Sequence, residues 1–221
     1  MSDLTSPAVT EAVLTRPRRY RGLSAEERRR ERRRRVLEAG LELFGTDGYL
    51  ATSIERLCAR AGVTTRHFYD EFKGREDVLT ALCEEIVGTT FSAVQTAVDN
   101  APDDAESRTR AGVATFITQM LSDPRRARIV LVESLAISRA SDNRRRTHRQ
   151  YAEFIRSEYE LLAEKGLLPW RDFRLASTAL VGATNELLVA HCTGGSVASV
   201  ADLIDEVVRI FLVVEGGRPT Q

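Results

Sequence analysis

Cysteine is scarce in this 221-residue chain, which has only Cys58, Cys83 and Cys192. An odd number at wide spacing supplies neither a disulfide framework nor the CxxC pair of a metal site, so all three read as small core residues on apolar helix faces. Long apolar runs are missing too. None approaches the ~20 residues of a membrane helix, and the amino terminus has no basic-then-apolar signal region. No membrane association is expected, and the cytoplasm is the expected compartment. Net charge is absent as well, because Lys+Arg and Asp+Glu both total 32. Catalytic signatures are also lacking. The histidines share no HxxxH or HxxE spacing, no Gly-rich phosphate loop occurs, and no serine sits in a GxSxG turn. His191 beside Cys192, near a helix end, reads as a packed or solvent-edge residue. No enzyme, metal or cofactor is therefore expected.

What is present is globular, with 43% hydrophobic and 29% charged residues. The charge is unevenly placed. Residues 16–35 hold eleven arginines against three glutamates, a surplus of eight, so the rest of the chain carries about the opposite. A basic front on a mildly acidic body suits a protein that meets DNA with one end.

The stretch Thr52 to Arg75, TSIERLCARAGVTTRHFYDEFKGR, organises the reading. Ile54, Leu57 and Cys58 form the apolar face of a short helix, Ala61-Gly62-Val63 interrupts it, and Phe68 and Phe72 form the face of a second. Gly62 suits the corner because a tight turn between packed helices needs a residue at positive φ. Thr52 or Ser53 caps the first helix and Thr64 the second. With both phenylalanines inward, Thr65, Arg66, His67, Tyr69 and Asp70 face out, a set suited to base edges and phosphates. Thr65, Arg66 and His67 are the expected base-edge or adjacent backbone contacts. Tyr69, Lys73 and Arg75 are expected on phosphates, and Thr52 and Thr64 complete the DNA-facing set.

Residues 33–82 resemble the amino-terminal domain of the TetR/AcrR family of bacterial transcriptional regulators. The resemblance is carried by Leu37, Ala39, Leu41 and Phe44, the Gly48-Tyr49 turn, Thr52-Ser53-Ile54, the Ala61-Gly62-Val63 corner, and Phe68-Tyr69-x-x-Phe72-Lys73. It implies an all-α, homodimeric, ligand-responsive repressor that binds an operator in double-stranded DNA. That family often has Ser or Thr where Arg66 or His67 stand, so base preference does not carry over.

In chain order, residues 1–23, with Pro7 and Pro17, read as a disordered basic arm. It either follows DNA into a minor groove or is simply solvated. Ser24-x-x-Glu27 is a capping box that opens the first helix, and Glu26/Arg30 and Glu31/Arg35 stand at i,i+4 on it. Residues 24–74 form the expected helix-turn-helix domain, and 75–221 the ligand-binding and dimerisation domain. A helix over 76–100 is the expected lever, about 37 Å long. Five more follow: 104–121, 124–135 from Asp123-Pro124, one opening at Ser141 or Asp142, one from Pro169 or Asp172 to Gly194-Gly195, and one from Ser196 to Gly216. That makes about nine helices, with no competing strand pattern.

The last two helices are apolar around more than half their circumference. They require a second burial partner, supplied by a two-fold four-helix bundle or by a central place in a large monomer. Ala176, Leu180, Ala183, Leu187, Ile204, Val208 and Phe211 are the expected dimer residues. Phe91, Phe116, Met120, Tyr151, Phe154, Asn185 and Glu186 are candidates for an apolar effector cavity with a few polar anchors. The leading reading is a DNA-binding regulator released from a palindromic operator by a small apolar or amphipathic molecule. A helical protein-interaction adaptor is the alternative.

Overall fold

The computed structural model describes residues 24–195 and 198–215, which form nine α-helices and no strand. The arm over 1–23 and a helix start at Ser196 lie outside the described residues. Helix α1 (Ala25–Thr46) begins at the expected capping box. The Ser24 amide donates to Glu27 Oε2 at 2.6 Å, and the Glu27 amide donates to Ser24 Oγ at 3.1 Å. Its first three turns carry an exposed arginine surface. Arg30 pairs with Glu26 as expected, whereas Glu31 pairs with Arg34, leaving Arg35 to reach the Gly62 carbonyl at 3.4 Å. From Val36 onward an apolar face, Val36, Ala39, Leu43 and Phe44, is buried.

Helices α2 (Ile54–Ala61) and α3 (Thr65–Tyr69) follow, with Gly62 at φ 62°, ψ 40° between them. Leu57, Cys58, Phe68 and Phe72 join the α1 face in one core. Helix α4 (Arg75–Asp99, 25 residues) crosses α1 closely at Gly40, where an added Cβ would lie 2.9 Å from Val78 Cγ1. It then runs down the body against α5 (Ala105–Leu121), whose opening is capped by Asp104.

The segment after Asp123 departs from expectation. In place of one helix through Leu135, α6 covers only Pro124–Ala127, followed by a π-helical turn over Arg128–Val132 and a 3₁₀ turn over Glu133–Ala136. Ile129 and Leu131 are both buried. Two positions apart do not share an α-helical face, and this segment packs against α1 and α4 on one side and α8 on the other. Extended backbone at Ile137 ends it, and α7 (Ser138–Glu164) starts three residues before the expected Ser141. Helix α8 (Arg174–Cys192) lies along α7, and α9 (Val200–Glu215) lies across α5. Ser199 and Asp202 form a capping box at the start of α9. No described helix is long and apolar enough to cross a membrane.

Candidate nucleic-acid interface and effector cavity

Helix α3 is held from behind and left open in front. Phe68 is 0% and Phe72 3% exposed, and their rings lie 5.8 Å apart. Thr64 caps the helix, its Oγ1 accepting the His67 amide at 3.3 Å and lying 3.1 Å from His67 Nδ1. Thr64, Thr65, Arg66, His67, Tyr69 and Lys73 are all exposed. Glu71 turns the other way, its side chain only 2% exposed, and accepts Arg29 Nε at 3.0 Å with Arg32 close by. This ties the end of α3 to the basic front of α1. Arg33 lies over the Phe72 ring at 4.6 Å, so part of the arginine run braces the head.

Two residues expected on DNA are turned inward. Thr52 is fully buried and donates to the Gly48 carbonyl at 2.9 Å, while Ser53 performs the capping of α2. Arg75 folds back under the head, donating to the carbonyls of Tyr49 and Thr52 and lying 4.9 Å over the Tyr49 ring. The guanidinium bridges two carbonyls of the α1–α2 connection, of which the Tyr49 one also accepts the Thr52 amide at 3.3 Å, and Lys73 stays exposed at this corner.

Behind the head, the π and 3₁₀ turns touch both the α1–α2 connection and the body. Glu133 Oε2 accepts the Tyr49 amide at 2.8 Å, and its Oε1 accepts Arg128 Nε at 3.0 Å. Arg128 Nη1 also donates to the Thr46 carbonyl at 2.7 Å. Gly48, at φ 96°, packs against this pair. The opposite side of the same segment, through Val130, Leu131 and Ser134, lines a cavity. No sequence pattern pointed to Glu133, because a lone acidic residue at the end of an apolar run carries no periodic signal.

The cavity has a volume of about 130 Å³ and is bounded mainly by α4, α5, α7 and α8. Its wall on α4 extends from Cys83 to Val98, about 22 Å of helix, so the space is long and narrow. Five of the seven expected residues line it: Phe116, Met120, Tyr151, Phe154 and Asn185. Phe91 stands one layer back, edge-on to the rings of Tyr151 and Phe154. Glu186 is exposed on the far face of α8, because the turn that carries Asn185 inward carries its neighbour out.

His148, Arg144, Arg108 and Glu158 also line the cavity, beyond the expected set. Asn185 Nδ2 lies 2.8 Å from His148 Nε2, and burial, with Arg144 nearby, holds the imidazole below its ordinary pKa. Arg108 and Glu158 pair at the other end of the cavity, both largely buried. Spacing on α7 would have linked three of these to Tyr151, since residues 144, 148, 151 and 158 share one helical face. Burial pushes the Cys83 thiol up to about 12, so this wall residue is a packed thiol.

The expected dimer residues divide. Leu180, Val208 and Phe211 are buried within the chain, Phe211 on the cavity wall, because α9 packs across α5. Ala176, Leu187 and Ile204 are half-buried and Ala183 is exposed. Leu175 (85% exposed), Ala179, Gly182 and Ala183 form a continuous apolar stripe on the outer face of α8. Among the described residues no group of three or more His, Cys, Asp or Glu could hold a metal ion.

Residues 36–82 match the family model described as bacterial regulatory proteins, tetR family. Over this stretch the head is similar to that of tetR regulators. Over 98 residues, 44% of this chain and 45% of that protein, it is 29% identical to the HTH-type transcriptional regulator EthR of Mycolicibacterium smegmatis. The chain spans less than half the length of the curated relatives it matches. Among solved structures it is similar to the regulator FadR from Bacillus subtilis in complex with stearoyl-CoA, with a TM-score of 0.72 and 18% identity. That likeness covers 84% of this chain and 99% of that one. AibR in complex with isovaleryl coenzyme A and operator DNA gives a TM-score of 0.62 and 18% identity, over 80% of this chain and 96% of that one. The tetR-type head and the helical body therefore share one known architecture.

Proposed function

We propose that this chain is a dimeric, ligand-responsive transcriptional regulator of the cytoplasm, a repressor that leaves a palindromic operator when an effector fills the body cavity. The observation that carries the DNA-binding reading is α3, anchored by two buried phenylalanines with Thr65, Arg66, His67 and Tyr69 left outward. In this reading residues 24–74 are the DNA-binding domain and 75–221 the ligand-binding and dimerisation domain. Thr65, Arg66 and His67 enter a major groove, Thr64, Tyr69 and Lys73 contact its backbone, and Thr52 and Arg75 support them from behind.

The effector is a slender amphipathic molecule of acyl-thioester type. Support comes from the apolar middle of the cavity, from Arg144 on its wall beside the exposed Arg145, Arg146 and Arg149, and from the acyl-CoA complexes of the similar regulators. At about 130 Å³ the cavity is smaller than the ~300–1,000 Å³ of ordinary ligand sites. Filling it requires its walls to spread, and two of those walls reach the head. Helix α4 enters it directly, and the Arg128–Ala136 segment holds it through Glu133 and Arg128. A ligand that prefers the spread conformer thereby biases the spacing of the two reading helices. The exposed stripe on α8 supplies the two-fold contact.

Gel shift against genomic fragments, with and without decanoyl-CoA, tests the reading. Sequence-selected fragments released by the thioester are expected. A protein that retains no fragment above random DNA is an adaptor or something else.

A further inference from the structure

One group in the cavity is left without its hydrogen bond. Tyr151 lies on α7 at mid-cavity, its ring edge-on to Phe91 at 5.1 Å and Phe116 at 5.2 Å, and its hydroxyl is buried with no hydrogen-bond partner among the described residues. The neighbouring polar groups of the wall are engaged. His148 and Asn185 bond each other at 2.8 Å, Thr184 donates to the Leu180 carbonyl, Ser134 donates to the Val130 carbonyl, and Glu158 holds Arg108. A buried hydroxyl without a partner is disfavoured by its lost hydration, so such groups in native proteins call for an explanation such as a ligand. Burial also pushes this phenol well above its ordinary pKa, which keeps it a donor.

Resting on the effector reading above, we propose that Tyr151 is the specificity-determining contact of the cavity, donating its hydroxyl hydrogen to a neutral acceptor oxygen, a carbonyl, in the chain of the bound molecule. A full negative charge at this point would be desolvated among the rings of Phe91, Phe116 and Tyr151 with no cation beside it. The cationic wall residue Arg144 stands seven residues away on the same helix, about 10 Å, and Arg108 at the other end is neutralised by Glu158. The order along α7 is thus a cation at Arg144, a neutral donor at Tyr151, and apolar wall at Ile155 and Leu162. A molecule with an anionic head, a carbonyl partway along, and an alkyl tail satisfies each in turn.

The test uses the full chain, decanoyl-CoA, and the S-decyl thioether of coenzyme A, which differ in the carbonyl alone. By calorimetry the wild type should bind the thioester about ten- to a hundredfold more tightly than the thioether. Tyr151→Phe should bind both with the weaker affinity, and its ligand-free melting temperature should be unchanged or higher, since it discards an unpaired polar group. Equal affinity of the wild type for both probes, matched by Tyr151→Phe, overturns the tyrosine assignment and leaves the effector reading standing. A lower ligand-free melting temperature for Tyr151→Phe also overturns it, because the hydroxyl would then serve the fold. If neither probe binds the wild type, the acyl-thioester reading falls and the Tyr151 assignment falls with it.

Discussion

Lys73 and Arg75 stand two positions apart with the same charge and opposite surroundings. Lys73 is exposed, while Arg75 is folded onto the carbonyls of Tyr49 and Thr52. The two alanine variants should separate accordingly. Lys73→Ala is expected to reduce the salt slope of DNA binding by about one phosphate contact, roughly 0.9 in log–log units, with the melting temperature unchanged. Arg75→Ala is expected to destabilise the head by about 1.5–3 kcal/mol, the range for hydrogen bonds made by a charged group, with little change in slope. A salt titration and a thermal melt read both. At this scale residue type was legible and direction was not. Thr52 and Arg75 belong to the right stretch and the right chemistry, yet only the path of the Gly48–Thr52 connection decides that they face inward.

His148 carries a further expectation. Its folded pKa lies below the unfolded 6.5 because of burial. Its contribution to stability is therefore complete above about pH 6.5 and declines as pH falls below that value, where the unfolded chain takes up the proton more readily. His148→Gln should flatten the fall in melting temperature between pH 7 and pH 5.5.

Among the elements, the regular helices were legible because each has one apolar face and polar punctuation. Ser24-x-x-Glu27, Gly62, Asp104 and Asp123-Pro124 mark boundaries that the fold keeps. The Arg128–Ala136 segment was not legible. It is buried on two sides, so Ile129-Val130-Leu131-Val132 has no polar face to reveal its winding. That segment is also where head and cavity meet. Glu133→Ala should remove the bond to the Tyr49 amide and loosen the link between effector and head. Measured as the ratio of DNA affinities without and with decanoyl-CoA, the coupling should fall severalfold, while ligand affinity in the absence of DNA changes less. Gly62→Ala tests the corner itself. At φ 62° a Cβ is strained, and a destabilisation of about 1 kcal/mol or more is expected from the thermal melt.

For the whole molecule, the two broadly apolar helices found different partners. Helix α9 gives most of its face to α5, and α8 keeps an outer stripe of Leu175, Ala179, Gly182 and Ala183. Sequence periodicity registered the excess of apolar surface without showing which part the chain itself covers. Because Ala183 is exposed, Ala183→Glu should leave the fold intact and shift the protein toward monomer in sedimentation, weakening operator binding in parallel. Helix α3 is assigned as the reader of DNA sequence, and selection of bound genomic fragments by the wild type and by the Arg66→Ala, His67→Ala double variant tests that assignment. The wild type should enrich inverted repeats whose half-sites lie about 34–36 Å apart or a multiple of that, and the double variant should lose that enrichment while retaining weak general binding. No enriched repeat, or the same repeat enriched equally by the variant, would rule out α3 as the reader.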